Sequence, residues 1–255
     1  MRDRKLPSFL TFLFLPALFF LVFSACVFFN NRSFRQFTGQ IFRSELAGNT
    51  LNLHYTLKHP ENYGISEAPV TLGSAEPEVL EASGLVLENY QEVLRRFPYQ
   101  TLSKTNRLTY DILQLYLQNQ LSGQKFALYA EPLGPTIGTQ AQLPVLLAEY
   151  AFRNKADIET YLTLLTEMDE YYSTLVHFEE AKSREGLFMS ASAAQAVIDQ
   201  CNAFIREPSK NFLITVFAEK IEEADFLTQV EKKHFLEQNE KAVLEHVIPA
   251  YQLLI

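Results

Sequence analysis

Cysteine, tryptophan and the motifs of common enzymes are scarce or absent in this chain of 255 residues. It has two cysteines and no tryptophan. If Cys26 lies in or on a membrane, it cannot pair with Cys201, so a disulfide framework is excluded and the fold depends on its core. There is no His-Glu-x-x-His zinc helix, no Gly-x-Ser-x-Gly elbow and no glycine-rich phosphate loop. The residue pattern therefore assigns no catalytic, cofactor-binding or metal-binding residue.

Positive charge is also in deficit. The formal net charge is −8, and the first 25 residues carry +2, so the remainder carries −10. An acidic domain argues against nucleic acid as a partner and against docking on anionic lipid headgroups.

Residues 9–29 form a run of 21 residues without a charged side chain, preceded by Arg2, Arg4 and Lys5. As a helix the run is about 30 Å long, which matches the hydrocarbon core of a bilayer. Two interpretations stay open: a retained transmembrane anchor, or a signal peptide that is cleaved on export.

The sequence Phe23-Ser24-Ala25-Cys26 resembles the box of bacterial lipoproteins, in which the cysteine is lipidated and becomes the N-terminus. The phenylalanine is unusual there, and the apolar run continues beyond the cysteine. Cys26 is thus a candidate lipidation site. Whether lipoprotein, anchored or secreted, the chain is expected to place residues 30–255 outside the cytoplasm, at the cell membrane.

The remaining sequence predicts an all-α, multi-helix domain with long connecting loops, because apolar residues recur at helical spacing. We expect an amphipathic helix at 33–46 and an irregular segment at 50–73. A helix is then expected to end at Pro98, and another to start at Ser103 or Thr105. The second of these helices is predicted to turn four apolar residues inward: Leu108, Ile112, Leu115 and Tyr116.

The second half of the chain gives further predictions of local structure. Residues 124–144 are rich in proline and glycine, and either pack as a crossover or form one wall of a binding cleft. A hairpin at 126–129 is a minor alternative. A long helix is expected at 157–182, ended by Gly186. Capping boxes are predicted at Ser192 with Gln195 and at Thr228 with Glu231, the latter opening a last helix whose inward face has five members: Leu236, Val243, Leu244, Val247 and Tyr251.

Several pairs of polar side chains have the spacing of sites, and we interpret them as solvated or structural. Glu231 and His234 have the spacing of half a di-iron site, but the second half is missing. Adjacent carboxylates on a helix point about 100° apart and do not converge on one substrate atom. The groups considered are Glu231–His234, His54–His59, Glu179–Glu180, Glu222–Glu223 and the glycosylation pattern Asn31-x-Ser33.

The order of several short motifs resembles the N-terminal half of a bacterial family of unknown function, DUF885. They are Phe34 to Phe42, Pro60 to Gly64, Pro132-x-Gly134, Gln142-Leu143-Pro144, Asp157-Ile158-x-x-Tyr161-Leu162-x-x-Leu165 and Gly186-Leu187-Phe188. The resemblance implies a helical, exported or lipid-anchored protein similar to zinc metallopeptidases. In such enzymes zinc lowers the pKa of water and a glutamate acts as general base.

The same resemblance implies that the zinc-binding helix lies in a C-terminal half that this sequence does not contain, so zinc is expected only in a full-length relative. Because the ending at 246–255 is apolar to its last residue, we expect a truncated gene product or a fragment. Two hypotheses follow: a non-catalytic N-terminal portion of a membrane-anchored, metallopeptidase-like protein, or a membrane-tethered helical binding domain without enzymatic activity. The expected partners are the membrane, through residues 9–29, and a peptide, with no nucleic acid.

Overall fold

The structure is a computed structural model that describes the backbone of residues 8–255 and the side chains of residues 18–255. The described part contains helices and no strand, which confirms the all-α prediction and corrects the hairpin alternative at 126–129. The α-helices are α1 (Ser8–Ala47), α2 (Thr50–Thr56), α3 (Pro77–Arg95), α4 (Lys104–Gly123), α5 (Thr139–Glu149), α6 (Lys155–Thr166), α7 (Met168–Arg184), α8 (Ala191–Ile205), α9 (Phe212–Glu223), α10 (Gln229–Ala242) and α11 (Ile248–Leu254). Short 3-10 helices lie at Pro60–Tyr63, Tyr99–Thr101, Gln124–Tyr129 and Pro208–Lys210, and a π-helix lies at Val243–Val247.

The predicted membrane segment at 9–29 falls partly outside the described side chains, and the basic residues before it lie outside the described residues altogether. A search of the described residues finds no helix both long and apolar enough to cross a membrane. The predicted short helix at 33–46 is instead the continuation of α1. The predicted division at residues 29 and 30 therefore falls inside one helix, and the division into leader and domain stays a prediction.

The chain divides into two compact units, the first formed by residues 1–42 and 84–123 and the second by residues 43–83 and 124–255. The core of the first unit is small, with Phe34, Leu94, Leu102 and Leu117 almost fully buried. Aromatic rings surround this core, and the edge-to-face contact of Phe34 with Phe97 has a centroid distance of 5.2 Å.

The inward face of α4 differs from the predicted one. Leu108, Ile112 and Leu115 are each about 60% exposed, whereas Tyr110, Leu113 and Leu117 pack in the core. Helix α4 is apolar on two faces, so periodicity alone does not select between them. The start of the helix is as predicted, because Ser103 Oγ accepts a hydrogen bond from the backbone N–H of Asn106.

Asn31 connects α1 to the turn before α4 within the first unit. Its Oδ1 accepts from the Ser103 backbone N–H at 2.7 Å and from Asn106 Nδ2 at 2.8 Å. Its Nδ2 donates to the carbonyl oxygens of Val27 and Thr101, both at 2.8 Å. A glycan on Nδ2 would disrupt these bonds, which supports the interpretation of Asn31-x-Ser33 as a chance pattern.

The second unit has the larger core, built from α5–α11 with Leu51 and Leu72. Tyr161 on α6 stacks on Phe217 of α9 at a centroid distance of 5.4 Å, and both rings are almost completely buried. Cys201 is fully buried on α8, as predicted, and burial raises the pKa of its thiol to about 11. It is a packing residue rather than a reactive one.

The long helix predicted at 157–182 is two helices, α6 and α7, that meet at Glu167. The hydroxyl of Thr163 donates to the Glu159 carbonyl, and the hydroxyl of Thr166 donates to the Thr163 carbonyl. Such bonds from threonine back to its own helix bend the helix. Gly186 follows α7 with a φ of 71°, as expected for a helix end.

Two capping predictions have opposite outcomes. Thr228 and Glu231 form a complete capping box at the start of α10. The prediction for Ser192 with Gln195 is wrong, because α8 begins two residues earlier than predicted and Ser190 is its N-cap. Ser190 has the extended backbone that the cap position requires, and its hydroxyl accepts from the Ala193 N–H.

The predicted last helix is a rod of α10, the π-helix at Val243–Val247, and α11. Val243, Val247 and Tyr251 are buried as predicted, but Leu244 is 38% exposed, which corrects its inward assignment. A π-turn contains more residues per turn than an α-helix, so it rotates the face that follows. Pro249, which has no backbone N–H, is the second residue of α11, which follows the π-helix.

Pro144 lies inside α5, which corrects the prediction that residues 124–144 form one loop. Proline cannot donate to the carbonyl four residues before it, which here belongs to Gln140. The hydroxyl of Tyr251 on α11 donates to that carbonyl instead, at 2.5 Å, in a fully buried position. A tyrosine distant in sequence therefore replaces the hydrogen bond that the proline removes.

We expect Asn31→Ala to lower the free energy of unfolding by about 1–3 kcal/mol, because it leaves the Ser103 N–H and the Thr101 carbonyl without their partner. Urea unfolding of the full chain in a non-ionic detergent measures this. Asn119→Ala, on the exposed face of α4, is the control and is expected to change stability by less than about 0.5 kcal/mol. Equal effects of the two substitutions would contradict the role of Asn31.

We expect Tyr251→Phe to cost about 1–3 kcal/mol, since the buried Gln140 carbonyl loses the hydrogen bond that the Tyr251 hydroxyl donates to it. In a Pro144→Ala background residue 144 regains an N–H, so the same substitution is expected to cost clearly less. Urea unfolding of the four proteins in this double-mutant cycle measures the coupling. Additive effects would show that the two positions act independently. Tyr129→Phe, at an exposed tyrosine, is the control.

Candidate functional site

The second unit contains a cavity of about 540 Å³ between the segment at 50–70 and the start of α6. Its lining mixes ionisable, polar and apolar side chains, as in many ligand sites. The ionisable side chains in the lining are those of His54, Lys58, His59, Glu61, Arg153 and Asp157.

Helix α2 positions His54 in this cavity. The segment at 50–73 was predicted to be irregular, but Asn49 caps a short helix by accepting from the Asn52 backbone N–H at 2.9 Å. The Asn49 side chain also donates to the Leu72 carbonyl at 2.7 Å, which fixes the returning chain beside the helix start. Tertiary contacts therefore stabilise a helix too short to form alone.

His54 is 8% exposed and stacks on Tyr150, with ring centroids 3.6 Å apart and an angle of 18° between the planes. Its Nε2 accepts a hydrogen bond from the Ala151 backbone N–H at 3.1 Å. An accepting Nε2 carries no proton, so in neutral His54 the proton is on Nδ1. The ring is thus held in one tautomer, assigned from this bond.

Arg153 completes the site from the start of α6. Its Nη1 lies 3.4 Å from His54 Nδ1, so two donors face each other. Its backbone N–H donates to Asp157 Oδ2 at 2.8 Å, and Asn154 Oδ1 accepts from the Asp157 N–H. Through these two bonds, Asp157 holds the backbone of Arg153 at the start of α6. The guanidinium has no carboxylate within ion-pair distance in the part of the chain that the structure describes.

The surroundings keep His54 neutral. Burial lowers the pKa of His54 to about 4, and the positive charge of Arg153 acts in the same direction. Asp157 opposes the shift with a smaller effect. His54 is therefore an uncharged hydrogen-bond donor at neutral pH.

The other predicted groups are not brought together. His59 pairs with Glu61 at 3.1 Å in the 3-10 helix beside the cavity. Glu231 caps α10 and pairs with Lys155, and these bonds lower the pKa of its carboxyl to about 2. His234 lies against Phe235. Glu231 and His234 therefore have separate partners.

The prediction that Glu179 and Glu180 are both solvated is wrong for Glu179. Glu180 is on the surface, but Glu179 is only 6% exposed and lies 3.6 Å from the fully buried Nζ of Lys182. Lys182 also donates to the Ala130 carbonyl at 2.9 Å and pairs with Glu131. Burial raises the pKa of Glu179. No sequence signal distinguishes Glu179 from its neighbour except its position three residues before Lys182.

The segment at 124–144 packs as a crossover and does not line this cavity. Leu133 enters the core, and Gln140 Nε2 donates to the Gly134 carbonyl at 2.6 Å. Gly138 has no room for a side chain, since a Cβ there would lie 2.3 Å from the Gly134 nitrogen. Leu133 does line a second, mainly apolar cavity of about 460 Å³ next to α8 and α11.

Comparison with known proteins identifies the family. The model of a family described as "Bacterial protein of unknown function (DUF885)" matches residues 63–255, well over half of the chain. The chain belongs to the DUF885 family. The match confirms the resemblance drawn from the sequence, and it includes Tyr150, Arg153 and Asp157 but not His54. No curated protein matches the chain.

Among solved structures, the DUF885 chain resembles "The crystal structure of the putative lipoprotein from Colwellia psychrerythraea", with a TM-score of 0.74 and 18% sequence identity. The likeness covers 88% of this chain and 40% of that one, so the chain spans well under half the length of its structural relative. At this identity the likeness shows a shared fold.

We expect the stability of the DUF885 chain to fall as pH decreases from about 6.5 to 4 through protonation of His54. In that range the unfolded chain binds a proton that the folded chain excludes, so unfolding is favoured at lower pH. Thermal unfolding at several pH values measures this. His54→Gln is expected to give a shallower decrease in Tm over the range.

His177→Gln is the control. Its partner Glu76 raises the pKa of His177, so the contribution of His177 is present at low pH and is lost as pH rises above about 6.5. Removing His177 is therefore expected to leave the decrease below pH 6 as steep or steeper. An unchanged slope in His54→Gln would contradict the buried neutral state of His54.

Proposed function

We propose that this chain is a non-catalytic, peptide-binding portion of an exported, membrane-associated, metallopeptidase-like protein. The carrying observation is the state of His54 in the cavity of about 540 Å³. Its Nε2 lone pair is occupied by the Ala151 N–H and its Nδ1 bears the proton. The imidazole therefore has no free lone pair with which to bind a metal or remove a proton, but it has one N–H to donate.

A zinc ion does not fit the residues present. Within the described residues there is no group of three His, Cys, Asp or Glu side chains that could hold a metal. His59 and Glu61 are paired on the surface, and the Asp157 carboxylate accepts a hydrogen bond from the Arg153 backbone N–H. Zinc sites require three or four such ligands around one point. No catalytic step through zinc is assigned to these side chains.

Two findings support an exported location. The apolar residues at the exposed face of α1 include Phe19, Phe20 and Leu21, each at least 65% exposed. The structural relative is described as a "putative lipoprotein", which agrees with the box before Cys26. Cys26 itself is exposed and unpaired by disulfide. Mass spectrometry of the mature N-terminus separates lipidation at Cys26 from retention of Met1.

A second candidate function is a membrane-tethered helical binding domain that is not part of an enzyme. The specific observation in its favour is the same cavity, whose lining includes His54, Arg153 and Asp157 of this chain. The DNA sequence downstream of the codon for Ile255 separates the two functions. A continuing frame with a zinc-binding helix supports the first, and a stop codon in several independent isolates supports the second.

The experiment for binding without cleavage uses the full chain in a non-ionic detergent with added zinc. We expect less than one zinc per ten chains after dialysis, no hydrolysis of a quenched fluorescent peptide library above the buffer rate, and measurable binding of short peptides by calorimetry. Stoichiometric zinc or hydrolysis by the pure chain would overturn the proposal. Absence of any peptide binding would overturn the peptide assignment.

A further inference from the structure

We propose that the cavity beside α2 holds its ligand by a carboxylate group, bound between His54 Nδ1 and the guanidinium of Arg153. This inference names the ligand class of the binding role proposed above and rests on that role. It goes beyond the family match, which assigns no ligand.

His54 and Arg153 form a pair of hydrogen-bond donors that face each other. The His54 N–H and Arg153 Nη1 are 3.4 Å apart and cannot bond each other, because both carry protons. Neither has another acceptor among the described residues. A buried donor without an acceptor costs about 1–3 kcal/mol, and His54 is more than nine-tenths buried. An oxygen atom placed between the two donors would satisfy both.

The charges around the cavity limit the charge that its ligand can carry. Arginine binds carboxylate and phosphate through two parallel bonds, so both groups are candidates by shape. The cavity also contains Lys58, Glu61 and Asp157, so its formal charge with Arg153 is balanced. A single negative charge is compensated at the guanidinium, whereas a doubly charged phosphate would also face the two carboxylates. The balance favours a monocarboxylate.

The apolar part of the lining indicates what else the ligand contains besides its carboxylate. Beside the polar residues, the lining includes Leu53, Leu57, Ile65 and Val70. Apolar walls with a few convergent polar groups are typical of sites for organic ligands rather than free ions. The C-terminal end of a peptide, with an apolar last side chain, combines these properties.

The test compares acetyl-Ala-Ala-Leu bearing a free carboxylate with the same peptide as its C-terminal amide. Calorimetry with the full chain in a non-ionic detergent measures both affinities at pH 7. We expect the acid to bind at least about tenfold more tightly than the amide, the typical effect of one charged hydrogen bond. Acetyl-leucine, which has the carboxylate without the peptide, is expected to bind more weakly than the tripeptide acid. Equal binding of the two would assign the site to free carboxylic acids and overturn the peptide source.

Variants locate the carboxylate. Arg153→Gln is expected to reduce the affinity for the acid to that for the amide, and Arg153→Lys to restore part of it, since lysine keeps the charge but not the planar fork. Arg153 is exposed, so the variants are expected to fold, which Tm confirms. Arg184→Gln, at an exposed arginine on α7, is the control and should leave both affinities unchanged.

The outcomes separate this inference from the proposed function. If acid and amide bind equally, the carboxylate assignment fails while peptide binding stands. If neither binds, both fail. If inorganic phosphate at equal concentration displaces the acid, the preference for a single charge is wrong. Loss of acid binding in Arg184→Gln as strong as in Arg153→Gln would place the site elsewhere.

Discussion

The hydrogen bond from the Ala151 backbone N–H to His54 Nε2 determines the geometry of the cavity. It joins α2 to the end of α5, and stacking of His54 on Tyr150 covers the same junction. The bond also decides the chemistry, because it fixes the tautomer of a ring that burial keeps neutral. A histidine beside charged groups is usually considered as a base or a metal ligand. Here its backbone partner leaves it only the role of donor.

Side chains distant in sequence also satisfy backbone carbonyls that a helix end or a proline leaves without a helical partner. Lys220 on α9 donates to the carbonyls of Ala148 and Tyr150 at the end of α5. Tyr251 satisfies the Gln140 carbonyl inside that helix. Helix α5 is thus completed at both points by side chains far away in sequence, and the ordering of residues 150–153 follows from it. The cavity therefore depends on the packing of α9 and α11 as well as on the residues that line it.

Local signals in the sequence predicted the features that depend on nearby residues. The capping box at Thr228, the helix end at Gly186 and the start of α4 at Ser103 were found because each involves atoms within a few residues. Features that depend on distant partners were missed. Helix α2 needs Asn49 to bond Leu72, Pro144 is tolerated in a helix through Tyr251, and Glu179 is buried beside Lys182. The candidate site also depends on distant partners, since its residues come from positions about 100 apart. Sequence spacing alone pointed only to the pair His54 and His59.

The net charge of the whole chain is unevenly divided between the two units. The first unit has nine basic and four acidic side chains, whereas the second has thirteen basic and twenty-six acidic ones. The acidic character that argues against anionic partners thus belongs to the second unit, and the argument does not extend to the first. This division also affects the cavity. Arg153 is a cation in a strongly acidic unit, yet its guanidinium has no carboxylate partner among the described residues. Because Arg153 is exposed, water solvates its guanidinium in the free chain, and the carboxylate of the proposed ligand would replace that water with a charged hydrogen bond.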